Sequence, residues 1–219
     1  MNTKQTFLLD LGRIVLGLAV FALGVHLTIF ANIGLAPWDC LGMGIAKHTP
    51  LNYGMAMTAV SVTILVVDLL LRERIGFGTA IDALLTGNLI QLYNDCNPWP
   101  LNTSLPLGVV LLTAGMAVMA VGMWIYMLPG RGCGPRDALL VGLGKLVRCV
   151  PIGAVQMALL ITVVAVGWLL GGPVGPGTLL FMALFGPEMQ LIYHWIGFEP
   201  RDVRHRSAGE DLAMLLRKD

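Results

Sequence analysis

The stretch Gly34-Leu35-Ala36-Pro37-Trp38-Asp39 returns ninety-eight residues later as Gly132-Cys133-Gly134-Pro135-Arg136-Asp137. Each copy follows one long apolar segment and precedes two more. Each opens an apolar run of roughly 12 to 15 residues, too short for a ~30 Å hydrocarbon core, which takes about 20 helical residues. Proline suits the first turn of a helix, where its missing N–H costs no hydrogen bond. The shared pattern G-x-[AG]-P-x-D is therefore expected to start a half-helix, twice.

Composition sets the solvent. Of 219 residues 56% are hydrophobic and 12% charged, with a mean hydropathy of +0.77. A soluble domain carries about 25% charged residues, and the stretch 106–130 has no Asp, Glu, Lys, Arg or His. These values imply an all-α integral membrane protein. A net charge of +1, with no basic stripe outside the C-terminal tail, speaks against a nucleic-acid partner. Lys4 and Arg13 flank an apolar run like that of a signal peptide, but no small-residue cleavage site follows, so the segment is expected to be a retained span. Cys40, Cys96, Cys133 and Cys149 have neither metal-ligand spacing nor an obvious pairing, and read as small apolar fillers.

Six segments are long enough to span: 11–30, 51–71, 77–94, 107–128, 151–170 and 177–195. Aligning the chain on itself extends the repeat beyond the turns. At offset 98, Gly17 and Gly24 match Gly115 and Gly122, Gly44 matches Gly142, and Lys47 matches Lys145. At offset 99, Gly54 matches Gly153, Gly78-Thr79 matches Gly177-Thr178, Gly87 matches Gly186, and Gln91 matches Gln190. Chance identity in apolar sequence would favour Leu and Val, so matches in Gly, Pro and polar residues imply a duplication. Residues 1–98 form the first repeat, 99–198 the second, and 199–219 a charged tail expected on the cytoplasmic surface.

Charge decides how the repeats face. If the two short runs dip in and return, each half has three spans and the halves are inverted. Of the 14 Lys and Arg only Lys47 then lies outside. If the short runs cross fully, Arg72, Arg74 and Arg131 move outside, against the positive-inside rule. The expected architecture is six transmembrane helices in an inverted 3+3 repeat with two re-entrant half-helices, both termini cytoplasmic. Irregular backbone at membrane depth is tolerated only inside protein or beside a water cavity, so the Gly-rich turns should point inward.

Asp39 and Asp137 follow their prolines by two residues. There a carboxylate can bond free backbone N–H groups and meet the positive end of the helix dipole; it can also contact a solute. The copies differ in kind at one place, Trp38 against Arg136. Arginine at a half-helix start suits an anionic group, and tryptophan suits a planar or cationic one. Equally, Arg136 can snorkel to the surface and Trp38 can sit in an interfacial aromatic belt. Glu188 lies deep in the last span, where an unpaired charge costs roughly 2.5–3.5 kcal/mol. It is the first candidate for proton coupling, with a neutral hydrogen-bonded Glu as the plain alternative. Asn88, Gln91 and Gln190 fall at similar depth and read with Glu188 as polar lining. Asp68 and Arg72 have the spacing of a helical ion pair, Asp82 is within reach of Thr86, and His26 reads as a buried, hydrogen-bonded histidine. Gly17, Gly24, Gly115 and Gly122 recur every seven residues and read as helix packing.

No catalytic constellation, metal-ligand spacing or cofactor motif is present in the sequence, so no enzyme activity is expected. The G-x-[AG]-P-x-D turns and the Gly-Thr starts of the third spans resemble the YczE-like family of bacterial integral membrane proteins, related to the YyaS and YitT group. The resemblance covers about residues 12–195 and implies a bacterial cytoplasmic membrane protein, without assigning a reaction or site residues. The expected function is a secondary transporter of a small polar metabolite, with Trp38, Asp39, Asn88, Gln91, Arg136, Asp137, Glu188 and Gln190 as contacts. An aquaporin-like channel and a non-transporting accessory protein are the other readings. The bilayer and a small solute are the expected partners, and an oligomer is compatible with the sequence.

Overall fold

A computed structural model describes residues 3–147, 149–200, 203 and 206–216. These form α1 (Thr3–Phe30), α2 (Pro37–His48), α3 (Tyr53–Leu70), α4 (Phe77–Cys96), α5 (Leu105–Met127), α6 (Pro135–Leu146), α7 (Ile152–Leu169), α8 (Pro176–Ile196) and α9 (Ala208–Leu216). No strand occurs among the described residues. The two short helices α2 and α6 have 12 residues each, about 18 Å at 1.5 Å per residue.

Among the described residues four helices, α1, α3, α5 and α7, are long and apolar enough to cross a membrane. The expectation was six. α4 and α8 have the length, 20 and 21 residues, but carry polar side chains such as Asp82, Asn88, Gln91, Glu188 and Gln190 that lower their hydropathy.

α1 and α5 cross at the centre on the repeated glycines. A Cβ at Gly17 would lie 2.9 Å from the Gly122 carbonyl oxygen, and one at Gly24 would lie 2.7 Å from that of Gly115. No side chain fits there, so the backbones touch, as expected for small residues in a membrane helix pair. α4 packs on α1 and α8 packs on α5. α2 lies against α7, and α6 lies against α3, so each short helix docks on a helix far from it along the chain. The main core joins Val25 of α1, Met57 of α3, Ile90 of α4, Leu112 and Met116 of α5, and Phe181 of α8.

Two contacts tie the halves in the same way. Gly78 N–H donates to the Arg131 carbonyl at 2.8 Å, and Gly177 N–H donates to the Ile33 carbonyl at 2.8 Å. Positions 78 and 177, like 33 and 131, are the ones the self-alignment pairs. The start of α4 thus caps on the turn before α6, and the start of α8 on the turn before α2.

Three local expectations need correction or sharpening. Asp68 and Arg72 do not pair: α3 ends at Leu70, Arg72 takes a left-handed φ of 59°, and both Asp68 carboxylate oxygens are buried without a hydrogen-bond partner among the described residues. The tail is not merely laid on the surface. α9 carries Asp211, buried against Arg131 at 2.5 Å, and Arg131 also holds Asp10 of α1 at 2.8 Å. His26 does find a partner, Asn94, at 2.6 Å.

Candidate functional site

The two turns bring α2 and α6 to one cavity. Gly34 and Gly132 have φ of 123° and 116°, a region closed to residues with a Cβ at acceptable cost. Ala36 and Gly134 then serve as N-caps with nearly the same backbone angles, −59°/153° and −58°/154°. Pro37 and Pro135 begin the helices. The first turns of both helices, with their positive dipole ends, border the same space: Pro37, Trp38 and Asp39 of α2 and Pro135, Arg136 and Asp137 of α6 all line it.

Between them lies a cavity of about 170 Å³. Twenty of its 22 lining residues form ten pairs at offset 98 or 99, so the space sits where the two halves meet rather than inside either. Phe21 pairs with Met119, Val25 with Met123, Trp38 with Arg136, and Asp39 with Asp137. The pairs also show where the walls differ. Ser61, Asp82 and Thr86 on α3 and α4 correspond to Leu160, Phe181 and Phe185 on α7 and α8. One wall is polar; the opposite one is apolar, with Phe181 and Phe185 stacked at 4.8 Å.

Arg136 lies over the Trp38 ring, 5.2 Å from its centroid. That distance is within cation–π range, so the two residues meet each other at the cavity. Asp39 is buried and accepts the Tyr53 hydroxyl at 2.8 Å. Asp82 accepts the Thr86 hydroxyl. Arg136 is close enough to act electrostatically on Asp39, Asp82 and Asp137. Three carboxylates thus lie in the field of one guanidinium around a small space. Charges buried in this way must be wet, protonated or neutralised by something bound.

Of the eight expected contacts, Trp38, Asp39, Arg136 and Asp137 line the cavity; Asn88, Gln91, Glu188 and Gln190 are not among its lining residues. Asn88 donates to the Leu84 carbonyl at 2.8 Å. Gln91 accepts the Gly54 N–H at 3.1 Å and donates to Asp95 at 2.7 Å. Gln190 is exposed and Glu188 partly buried on α8. Asp82, which the sequence places within reach of Thr86, is a wall of the cavity. Its one signal was the i, i+4 spacing to Thr86, which places both side chains on the same helical face.

A model of a family of unknown function, DUF6198, matches residues 10–194. The chain belongs to that family. It is 29% identical over 183 residues to an uncharacterized protein of Haemophilus influenzae, covering 84% of this chain and 83% of the relative. It is 28% identical over 172 residues to the "Uncharacterized membrane protein YczE" of Bacillus subtilis, covering 78% and 79%. It is 29% identical over 175 residues to the "Uncharacterized protein YyaS" of the same organism, covering 78% and 86%. The resemblance carried by the turns is thus to these same YczE-like proteins. No solved structure matches the chain. The DUF6198 match takes in both turns and every cavity-lining residue.

Proposed function

We propose that this DUF6198 protein is a secondary transporter of a small polar metabolite, built as an inverted 3+3 repeat around two re-entrant half-helices. α2 dips in from outside, α6 from the cytoplasm, and both termini are cytoplasmic. The carrying observation is the cavity between the two half-helix N-termini, lined by equivalent residues of both halves. Sites at the interface of repeats, formed by broken helices, are where such carriers bind.

The walls narrow the ligand. Asp82, Asp137 and Arg136 receive a polar end, and the excess of carboxylates over guanidinium favours a positive charge there. Phe181 and Phe185 receive an apolar part. Arg136 over the Trp38 ring bridges the two short-helix starts. We take this contact across the site to favour a carrier over a channel.

Reconstituted full-length protein tests the reading. Thermal stabilisation across small amines, zwitterions and carboxylates finds the ligand, because binding to the folded state alone raises its stability. Uptake of that ligand into proteoliposomes should saturate. Flux rising linearly with concentration, and insensitive to Asp137→Asn, would remove the carrier.

A further inference from the structure

The glycines that the halves share do not make the same contacts. In the first half Gly54, at the start of α3, meets Gly87 in the middle of α4, backbone to backbone. A Cβ on Gly54 would lie 2.7 Å from the Gly87 carbonyl oxygen, and one on Gly87 would lie 2.6 Å from that of Gly54. Gly54 N–H donates to Gln91 Oε1 at 3.1 Å. In the second half Gly153, Gly186 and Gln190 hold the corresponding places on α7 and α8. Nothing lies within 4 Å of a Cβ on Gly153 or Gly186, and Gln190 is exposed. α3 packs along α4, while α7 makes no comparable contact with α8. Both helix pairs border the cavity, through Met57 and Gly87 on the closed side and Gln156 and Phe185 on the open side.

Building on the transporter reading above, we propose that Gly54–Gly87 is a closed outer gate, that Gly153–Gly186 is the inner gate standing open, and that transport exchanges the two. The conformation described is therefore inward-open. In the opposite state α7 rests on α8 through Gly153 and Gly186, with Gly153 N–H donating to Gln190 Oε1, and α3 leaves α4.

Residue chemistry suits the exchange. Glycine pairs let backbones meet without interdigitated side chains to withdraw, so a contact of this kind can part and re-form. Pro187 follows Gly186 in α8. Proline lacks the N–H of the helical ladder and crowds the preceding turn, which weakens α8 at the level of the gate. Its counterpart on α4 is Asn88, whose amide bonds the Leu84 carbonyl; α4 stays helical while α8 is the arm that swings. A two-state element of this type is biased by whatever favours one packing. Gly54→Ala puts a methyl against the Gly87 carbonyl and penalises only the outer-closed state. Gly153→Ala costs nothing in the open space it now faces, yet blocks inner closure. Equivalent substitutions thus push in opposite directions.

The test uses full-length protein in oriented vesicles, its four cysteines replaced, carrying Met57→Cys or Gln156→Cys and treated with a membrane-impermeant maleimide. Gln156→Cys should label from the cytoplasmic side and Met57→Cys should resist label from outside. Adding Gly54→Ala should speed outside labelling of Met57→Cys by roughly tenfold or more and slow inside labelling of Gln156→Cys comparably. Gly153→Ala should leave both as in the parent. Unchanged labelling in a folded Gly54→Ala protein overturns the gate. Opening to the outside with Gln156→Cys still labelled from inside means a continuous pore: the gate's position survives and the carrier reading fails. Should Gly54→Ala not fold, the pair Gly153→Cys and Gly186→Cys decides. An oxidant-dependent cross-link shows inner closure, and none under prolonged oxidation overturns it, since a disulfide needs Cβ atoms about 3.5–4.5 Å apart.

Discussion

The Arg136 guanidinium lies 5.2 Å over the ring centroid of Trp38. The two residues hold the same place in the two copies of the turn, so the site where the copies differ most is where they touch. A desolvated cation–π contact contributes up to ~2 kcal/mol. Trp38→Ala should lower the melting temperature in detergent by about 2–4 °C for each kcal/mol lost in a chain of this size, and Trp38→Phe should keep most of it. Equal melting of Trp38→Ala and parent would show that the stack contributes nothing.

The Tyr53 hydroxyl donates a hydrogen bond to the buried Asp39 carboxylate at 2.8 Å. Tyr53→Phe leaves Asp39 short of a donor at a cost of about 1–3 kcal/mol. Adding Asp39→Asn should restore part of that loss, and the double-mutant cycle measures the coupling. Additive losses would mean the bond is incidental.

At the central crossing a Cβ on Gly17 would stand 2.5 Å from the Tyr126 backbone nitrogen, whereas nothing lies within 4 Å of one on Gly12. Gly17→Val should therefore destabilise by ~1–3 kcal/mol or more through overpacking. Gly12→Val should be silent. Chemical denaturation of the pair side by side reads the difference, and equal midpoints would refute the close crossing.

Proton coupling separates two acids. Asp137 faces the cavity and Glu188 is not among its lining residues. Gradient-driven uptake should fall to background in Asp137→Asn and persist in Glu188→Gln. The reverse result would return the coupling role to Glu188 and move the proton path out of the cavity.

Arg131 is 5% exposed and sits between Asp10 and Asp211. Breaking a buried ion pair from one side costs about 3–5 kcal/mol. Arg131→Ala, measured by denaturation, should lose stability on that scale, more than Lys145→Ala at its more exposed pair with Glu73.

The turns, the glycines and the Gly-Thr starts were legible because each has a local cause: a positive φ, a helix start, a backbone contact that excludes Cβ. Asp82 was not. α4 carries polar residues on several faces, and periodicity alone does not say which face meets the cavity when Asn88 and Gln91 compete with Asp82 and Thr86. Arg131 was counted as a cytoplasmic charge and nothing more, since Asp10 and Asp211 lie far from it along the chain. Asp68 misled because i, i+4 spacing assumes a helix that continues; α3 ends before Arg72. The open and closed glycine pairs were equally invisible, because one sequence has to encode both packings.

Arg131 also sets an order of assembly. A ribosome delivers Asp10 at the outset and Asp211 about two hundred residues later. Until α9 has emerged and docked, the guanidinium at the second turn is paired with Asp10 alone. A chain cut short before α9 can thread every other helix and still lack the second carboxylate that covers that guanidinium.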